Sequence, residues 1–480
     1  MLSRIKNFLL TNQSIRQTVA KNAFWNTVGQ FGGRLLRAGI IIYAARELGA
    51  ESWGAFSYAL SLAALLTIFS DLGITGLLTR EGSKHPELRA KYLATAFFTK
   101  LMLMVTGAAV FLIITRSFID NIEVLALLPV VVILTAIDGL HDLSNGMARA
   151  VQRMELEAWA NIMTNLGILI FGFTALFLYG NSFALAIGYT VGSSIGLAAI
   201  IITLRKYFVG LLKNFSFSFI KPMIAKAWPF GLAGLMGAIM INTDIVMLSF
   251  FRSIEEVGFY SAAQRIILLL YILPGLLVVP LFPVLSKLLS EPERFRAIVS
   301  KGLRVLLIMA LPLTAGGIIL GGGIIELIYG KEYLQATLSF QIMAITALTT
   351  FPAILIGNAI YATDRMRVLI TYAIIGIFGN VFLNLLLIPP LGMVGVAIAT
   401  VLVQFIGNTY AFIKMREFID VSKIIKFIQP IFAVAAMIGV ILILKFLPVI
   451  MLVAIGGITY FAVLWLAKEP SLLEIKSIFR

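Results

Sequence analysis

The sequence predicts an all-α polytopic membrane protein, and three observations carry that prediction. Hydrophobic residues make up 60% of the 480 and charged residues only 13%, whereas about a quarter of a soluble domain is charged. Fourteen stretches approach the ~20 apolar residues that a helix needs to cross a bilayer. They lie at about 22–45, 55–79, 92–115, 124–148, 158–179, 183–204, 227–250, 258–286, 300–321, 335–361, 368–388, 393–413, 427–446 and 448–467. Finally, the 38 Lys and Arg are unevenly placed. With the N-terminus in the cytoplasm, 28 fall on inward-facing segments and five (Arg46, Arg116, Arg252, Lys331 and Lys445) on outward loops. That bias sets the orientation by the positive-inside rule, and it accounts for the net charge of +15 without a nucleic-acid partner.

In chain order, residues 1–21 start as "MLSRIKNFLL", with Arg4 and Lys6 but neither a long apolar run nor a small-residue cleavage site. They read as a cytoplasmic amphipathic arm lying at the membrane surface. Residues 22–204 supply six spans, an N-lobe. Residues 205–226 form an interfacial cytoplasmic linker in which basic residues alternate with aromatics. Six more spans, 227–413, make a C-lobe. A cytoplasmic loop (414–426), two further spans (427–467) and a cytoplasmic tail (468–480) complete the chain.

The lobes are copies. "GAFSYA" at Gly54 to Ala59 recurs as "GFYSAA" at Gly258 to Ala263, a shift of 204 that also brings Glu87 onto Glu291 and Lys100 onto Arg304. A shift of 212 brings "QRME" at 152–155 onto "DRMR" at 364–367. Six spans per copy is an even number, so both copies share one orientation. Parallel pseudo-symmetric lobes of this kind enclose a central cavity at the membrane midplane. The last two spans have no counterpart and read as an appendage.

Polar groups inside spans are expensive and therefore informative. Arg34 and Arg37 share a helical face with Gln30 at i, i+4 and i+7, with no acid on that face, which predicts cations lining a hydrated space. On the fourth span, Asp138, His141, Asp142, Asn145 and Arg149 form one continuous stripe. This is read either as a proton relay centred on His141 or as a self-satisfied polar cluster. Asp71 sits in the second span. Asp244 and Arg265 lie at similar depth on successive spans, where they make either a structural ion pair or a functional one. Lys100 and Arg304, near the inner ends of their helices, are expected to snorkel toward headgroups.

Enzymatic chemistry finds no support. The chain has no cysteine and two histidines, no zinc-ligand spacing, and a "GGG" at 321–323 that no phosphate-cradling Lys-Ser/Thr pattern follows. No catalytic residue, metal or cofactor is expected.

The opening "NAFWNTVGQFGGRLLRAGIIIYAARELGAESWGAFSYALSL", the following "DLGITGLLTRE" and the R-x-LG-x-x-x-x-G-x-[FY]-S pattern at Arg46 to Ser57 resemble the polysaccharide-transporter branch of the multidrug/oligosaccharidyl-lipid/polysaccharide (MOP) superfamily. The resemblance implies a fold like that of the multidrug exporters in this superfamily. It also implies a flippase that moves polyprenyl- or dolichyl-linked oligosaccharide from the cytoplasmic to the outer leaflet by alternating access. By that resemblance Arg34, Arg37 and Arg265, with Gln30, would bind substrate. Asp71, Asp138, His141, Asp142 and Asp244 are the candidates for proton or sodium linkage or for gating. The implied partners are the lipid-linked oligosaccharide and membrane lipids, with the protein either monomeric or beside glycan polymerase or transferase machinery in the cell membrane. A cation-coupled multidrug antiporter is the alternative, although the first span lacks the acid that branch often uses. A membrane-embedded polymerase or ligase is disfavoured by the short outward loops.

Overall fold

The computed structural model describes residues 15–422 and 428–469; most of the expected arm and tail, and 423–426 of the loop, lie outside them. The described chain is helical throughout: α1 (Ile15–Asp71), α2 (Ile74–Lys84), α3 (Arg89–Thr115), α4 (Ile122–Ala150), α5 (Met154–Tyr179), α6 (Ser182–Thr203), α7 (Ile220–Phe251), α8 (Ile254–Leu270), α9 (Ile272–Lys287), α10 (Pro292–Tyr329), α11 (Thr337–Ala344), α12 (Ala347–Ala362), α13 (Met366–Lys414), α14 (Ile428–Ile443) and α15 (Val449–Leu466). Among the described residues, ten helices are long and apolar enough to cross a membrane, or eleven when the pair bent by 47° before Ala347 counts as one span. Two of these are runs of 48 and 49 residues that each enclose a break, at Gly49 and at Gly392. The count of fourteen stays a sequence expectation. The chain forms two compact units, Met1–Ser249 with Ser253–Gly258, and Phe250–Arg252 with Phe259–Arg480.

In the first unit, the glycines of the Arg46 to Ser57 pattern have separate structural jobs. Gly49 adopts φ 71°, ψ 174°, a region open essentially to glycine alone, and this turns the chain between two spans. Gly54 makes a close crossing: a Cβ there would sit 2.0 Å from the carbonyl oxygen of Ile254. The crossing is reciprocal, since a Cβ on Gly258 would sit 1.9 Å from the carbonyl oxygen of Ala50. Residues 50 and 54 correspond to 254 and 258 under the 204-residue shift, so the repeated motif packs against its own copy.

One carboxylate ties three helical segments at one end of this unit. Ser52 Oγ donates to Glu123 Oε2 at 3.1 Å and Ser182 Oγ donates to Glu123 Oε1. The side chains of Asn121 and Asn181 cap α4 and α6 through the backbone N–H groups of Val124 and Ala184. At the opposite, basic end, Lys21 pairs with Glu155 at 2.9 Å, as does Arg153, which holds the start of α1 to the α4–α5 turn. The 205–219 segment is two single helical turns and a 3-10 turn. Its aromatic residues dock on α3 through the Phe208–Phe97, Phe215–Phe98 and Phe219–Tyr92 ring contacts.

The repeat is visible in backbone geometry. Gln152 has φ 56° and Asp364 φ 57°. Their turns carry the same bonds at a shift of 212, Arg153 N–H to Ala148 and Arg365 N–H to Ile360 among them. The earlier loops match at 206: His85 (φ −123°, ψ 79°) precedes Pro86 as Glu291 (φ −124°, ψ 72°) precedes Pro292. Glu291 therefore corresponds to His85, not to Glu87. Lys100 and Arg304 are likewise not equivalent.

The second unit is built around α10. Leu303 and Leu306 pack with Leu281, Leu285, Phe351 and Leu355 in one buried cluster, while Ile308 and Leu320 pack with Met437, Ile441, Leu452 and Tyr460 in another. The two appended helices are thus fastened to α10. Arg304 pairs with Glu469 at 2.6 Å, the carboxylate side chain being fully buried, so Arg304 is a partner to an acid and not a snorkelling cation. Tyr271, between α8 and α9, donates to Thr346 at the α11–α12 bend, joining two helix breaks. Arg252 donates to the carbonyl of Pro389 at 2.6 Å, satisfying backbone freed near the Gly392 break.

Candidate functional site

Most of the candidate polar groups of the first unit sit on α1, α3, α4 and α5. Arg34 is exposed and Arg37 half-buried. Arg37 Nε donates to Asn165 Oδ1 at 3.0 Å. Among the described residues, neither arginine is ion-paired to a carboxylate. The backbone of Gln30 continues the helix, but its side chain lies outside the described set.

From Arg37 a ladder of side chains runs down α4 and α5. Asn165 Nδ2 donates to the carbonyl of Asn161 at 2.6 Å, and Asn145 Nδ2 donates to Asn161 Oδ1 at 3.3 Å. Arg149 grips Glu157 through Nε and Nη2, the latter at 2.6 Å, and its Nη2 lies 3.6 Å from Asp142. The structure thus gives the α4 stripe partners on α5 that the sequence reading missed. The signal was available, because Glu157, Asn161 and Asn165 recur every four residues on one face of α5. His141 is buried, at 8% exposure, and among the described residues its Nε2 has no hydrogen-bond partner. The charge of Arg37 reaches both Asp138 and His141.

Lys100 corrects an expectation. Its side chain is 2% exposed and does not snorkel: Nζ contacts Asp71 Oδ1 at 2.5 Å and Thr75 Oγ1 at 3.1 Å. Asp71 ends α1, where Leu72 and Gly73 take positive φ values of 44° and 82°. That turn places the carboxylate against α3, where it partners the Lys100 ammonium. Asp71, Lys100, Asp138 and Asp142 surround a cavity of about 290 Å³.

The two remaining candidates fall in different units. Asp244 on α7 is buried in the first. Arg265 on α8 belongs to the second, where its charge reaches Tyr329. A separate apolar cavity of about 310 Å³ in the second unit is lined by α10, α14 and α15.

Ten or eleven helices long and apolar enough to cross a bilayer among the described residues define a multi-pass membrane protein. The model of the family described as polysaccharide biosynthesis protein matches residues 19–289, more than half of the chain. The protein belongs to that family, in the polysaccharide-transporter branch of the MOP superfamily. It is 22% identical over 386 residues to a probable low-salt glycan biosynthesis flippase of Haloferax volcanii, covering 79% of each chain. It is 29% identical over 230 residues to a probable flippase of the same organism, covering 45% of this chain and 48% of that one. Among solved structures, a lipid II flippase in an inward closed conformation superposes with a TM-score of 0.78 at 19% identity, over 94% of this chain and 99% of the other.

Proposed function

We propose that the protein is a flippase that carries polyprenyl- or dolichyl-diphosphate-linked oligosaccharide from the cytoplasmic to the outer leaflet, by alternating access, for cell-surface glycan synthesis. It is a membrane transporter and not an enzyme. The observation that carries the reading is the pair Arg34 and Arg37, neither held by a carboxylate among the described residues. A fixed guanidinium inside a span is costly unless it meets water or an anion. Its planar fork matches phosphate oxygens. Gln30 and Arg265 are proposed as further substrate-binding groups. The names of the curated relatives support a glycolipid cargo over an organic-cation drug, so the antiporter reading is the less supported one.

The basic bias of the expected inward loops supports cytoplasmic termini in the cell membrane. Association with glycan polymerase or transferase machinery is proposed because such enzymes make and consume the cargo. Linkage to a proton or sodium gradient, or gating, is proposed for Asp71, Asp138, His141, Asp142 and Asp244, the side chains that the sequence singles out. Asp71 is bound to Lys100, and Asp138 and Asp142 line a cavity.

The test is transport by full-length protein in proteoliposomes, using a fluorescent polyprenyl diphosphate oligosaccharide. Arg34→Ala combined with Arg37→Ala should abolish leaflet transfer while leaving membrane insertion intact. Wild-type rates in that double variant would refute the assignment.

A further inference from the structure

The cavity bounded by Asp71, Lys100, Asp138 and Asp142 lies wholly within the first unit, and its chemistry differs from that of the two arginines. At about 290 Å³ it is at the small end of pockets that hold organic ligands, roughly 300 Å³ and upward. Its walls offer both halves of a hydrogen-bonding code. Asp138 and Asp142 are acceptors, the latter only loosely engaged by Arg149 at 3.6 Å. The Lys100 ammonium has three donors, and its hydrogen bonds to Asp71 and Thr75 use two of them. Ser70 adds a hydroxyl, and Gly139, Gly231 and Gly234 leave the wall low.

This arrangement discriminates between ligand classes. A phosphate is disfavoured, since among the described lining residues the one ammonium is already matched by Asp71 and two further carboxylates remain. A bound metal ion requires several oxygen ligands converging at ~2.0–2.6 Å, and among the described residues no three His, Cys, Asp or Glu side chains converge in that way. A flat organic cation is recognised through aromatic faces, and no aromatic residue lines this cavity among the described residues. Separated acceptors with one fixed donor around a ring-sized volume suit a molecule that carries several hydroxyls.

We propose that this cavity is the subsite for one neutral sugar ring of the transported glycolipid. The vicinal hydroxyls bond Asp138 and Asp142, and a ring or acyl oxygen accepts from Lys100. The proposal rests on the flippase reading and adds to it a cargo preference: a neutral hexose or N-acetylhexosamine is accepted at this position, and a uronic acid is repelled.

Gly234 supplies a clean test. A Cβ at this position meets no atom within 4 Å, so a large side chain enters the cavity and not the helix packing. Full-length protein in nanodiscs is titrated with three fluorescent probes: a polyprenyl diphosphate, the same lipid bearing one N-acetylhexosamine, and the same lipid bearing one hexuronic acid. Gly234→Phe should weaken binding of the N-acetylhexosamine probe about tenfold or more and leave the sugar-free probe within about twofold. Gly234→Ala should change neither, and wild type should bind the uronic acid probe more weakly than the N-acetylhexosamine one. Should Gly234→Phe fail to fold, Asp138→Asn with Asp142→Asn must show the same selective loss. Equal effects on sugar-bearing and sugar-free probes overturn the subsite and leave the flippase reading standing. So does loss of a sodium dependence in the Asp variants with probe binding intact, which would make the cavity a cation site. Failure of wild type to bind any probe overturns both.

Discussion

The hydroxyl of Tyr460 donates a hydrogen bond of 2.9 Å to the carbonyl oxygen of Ile308. Ile308 stands four residues before Pro312 inside α10, and proline has no N–H with which to close that turn. An orphaned carbonyl in an apolar interior is costly, and here α15 supplies the missing donor. The appended pair, which has no counterpart in the repeat, is therefore built into the second unit by chemistry that a proline made necessary.

Tyr460→Phe should lower stability by about 1–3 kcal/mol, the range for stranding a buried acceptor. Pro312→Ala restores an N–H to the turn, so Tyr460→Phe should have a much smaller effect in that background. Thermal unfolding of the four proteins in detergent completes the cycle. Additive effects would show that the two residues do not share the Ile308 carbonyl.

The reciprocal crossing at Gly54 and Gly258 predicts matched sensitivity. Either glycine replaced by Ala places a methyl group about 2 Å from a carbonyl oxygen, and overpacking of this kind costs typically ~1–3 kcal/mol. Both substitutions should reduce the yield of folded protein on size-exclusion chromatography. Gly457→Ala, whose Cβ has open space, should not.

Breaking the Lys100–Asp71 pair should be asymmetric. Lys100 is almost fully buried while Asp71 is about a third exposed. Asp71→Asn strands the ammonium and should destabilise by up to ~3–5 kcal/mol. Lys100→Met leaves a carboxylate with partial access to the cavity and should cost less. Comparing unfolding midpoints of the two variants checks the order, and a larger loss for Lys100→Met would contradict it.

Much of this architecture was legible because period and charge are local properties. The stripe from Asp138 to Arg149 announces itself by spacing, and α4 carries it as one face. The Gly54 motif was readable as a repeat, but not as a contact with its own copy, since only coordinates bring residue 50 to residue 258. Lys100 was misjudged because snorkelling is the default near a helix end, and its partner lies 29 residues away at a break. Arg304 was misjudged for the same reason, with Glu469 165 residues distant. The polar face of α5 was missed although its spacing was in plain view. An asparagine every fourth residue carries no charge and attracts less notice than an aspartate.

The turns at Gln152 and Asp364 hold almost the same left-handed dihedral with unequal residues, since aspartate tolerates that conformation better than glutamine does. Sequence has drifted there while geometry has not. The first copy is accordingly the weaker casting of a shared mould, and Gln152→Asp, borrowed from its twin, is a route to a hardier protein for biochemical work.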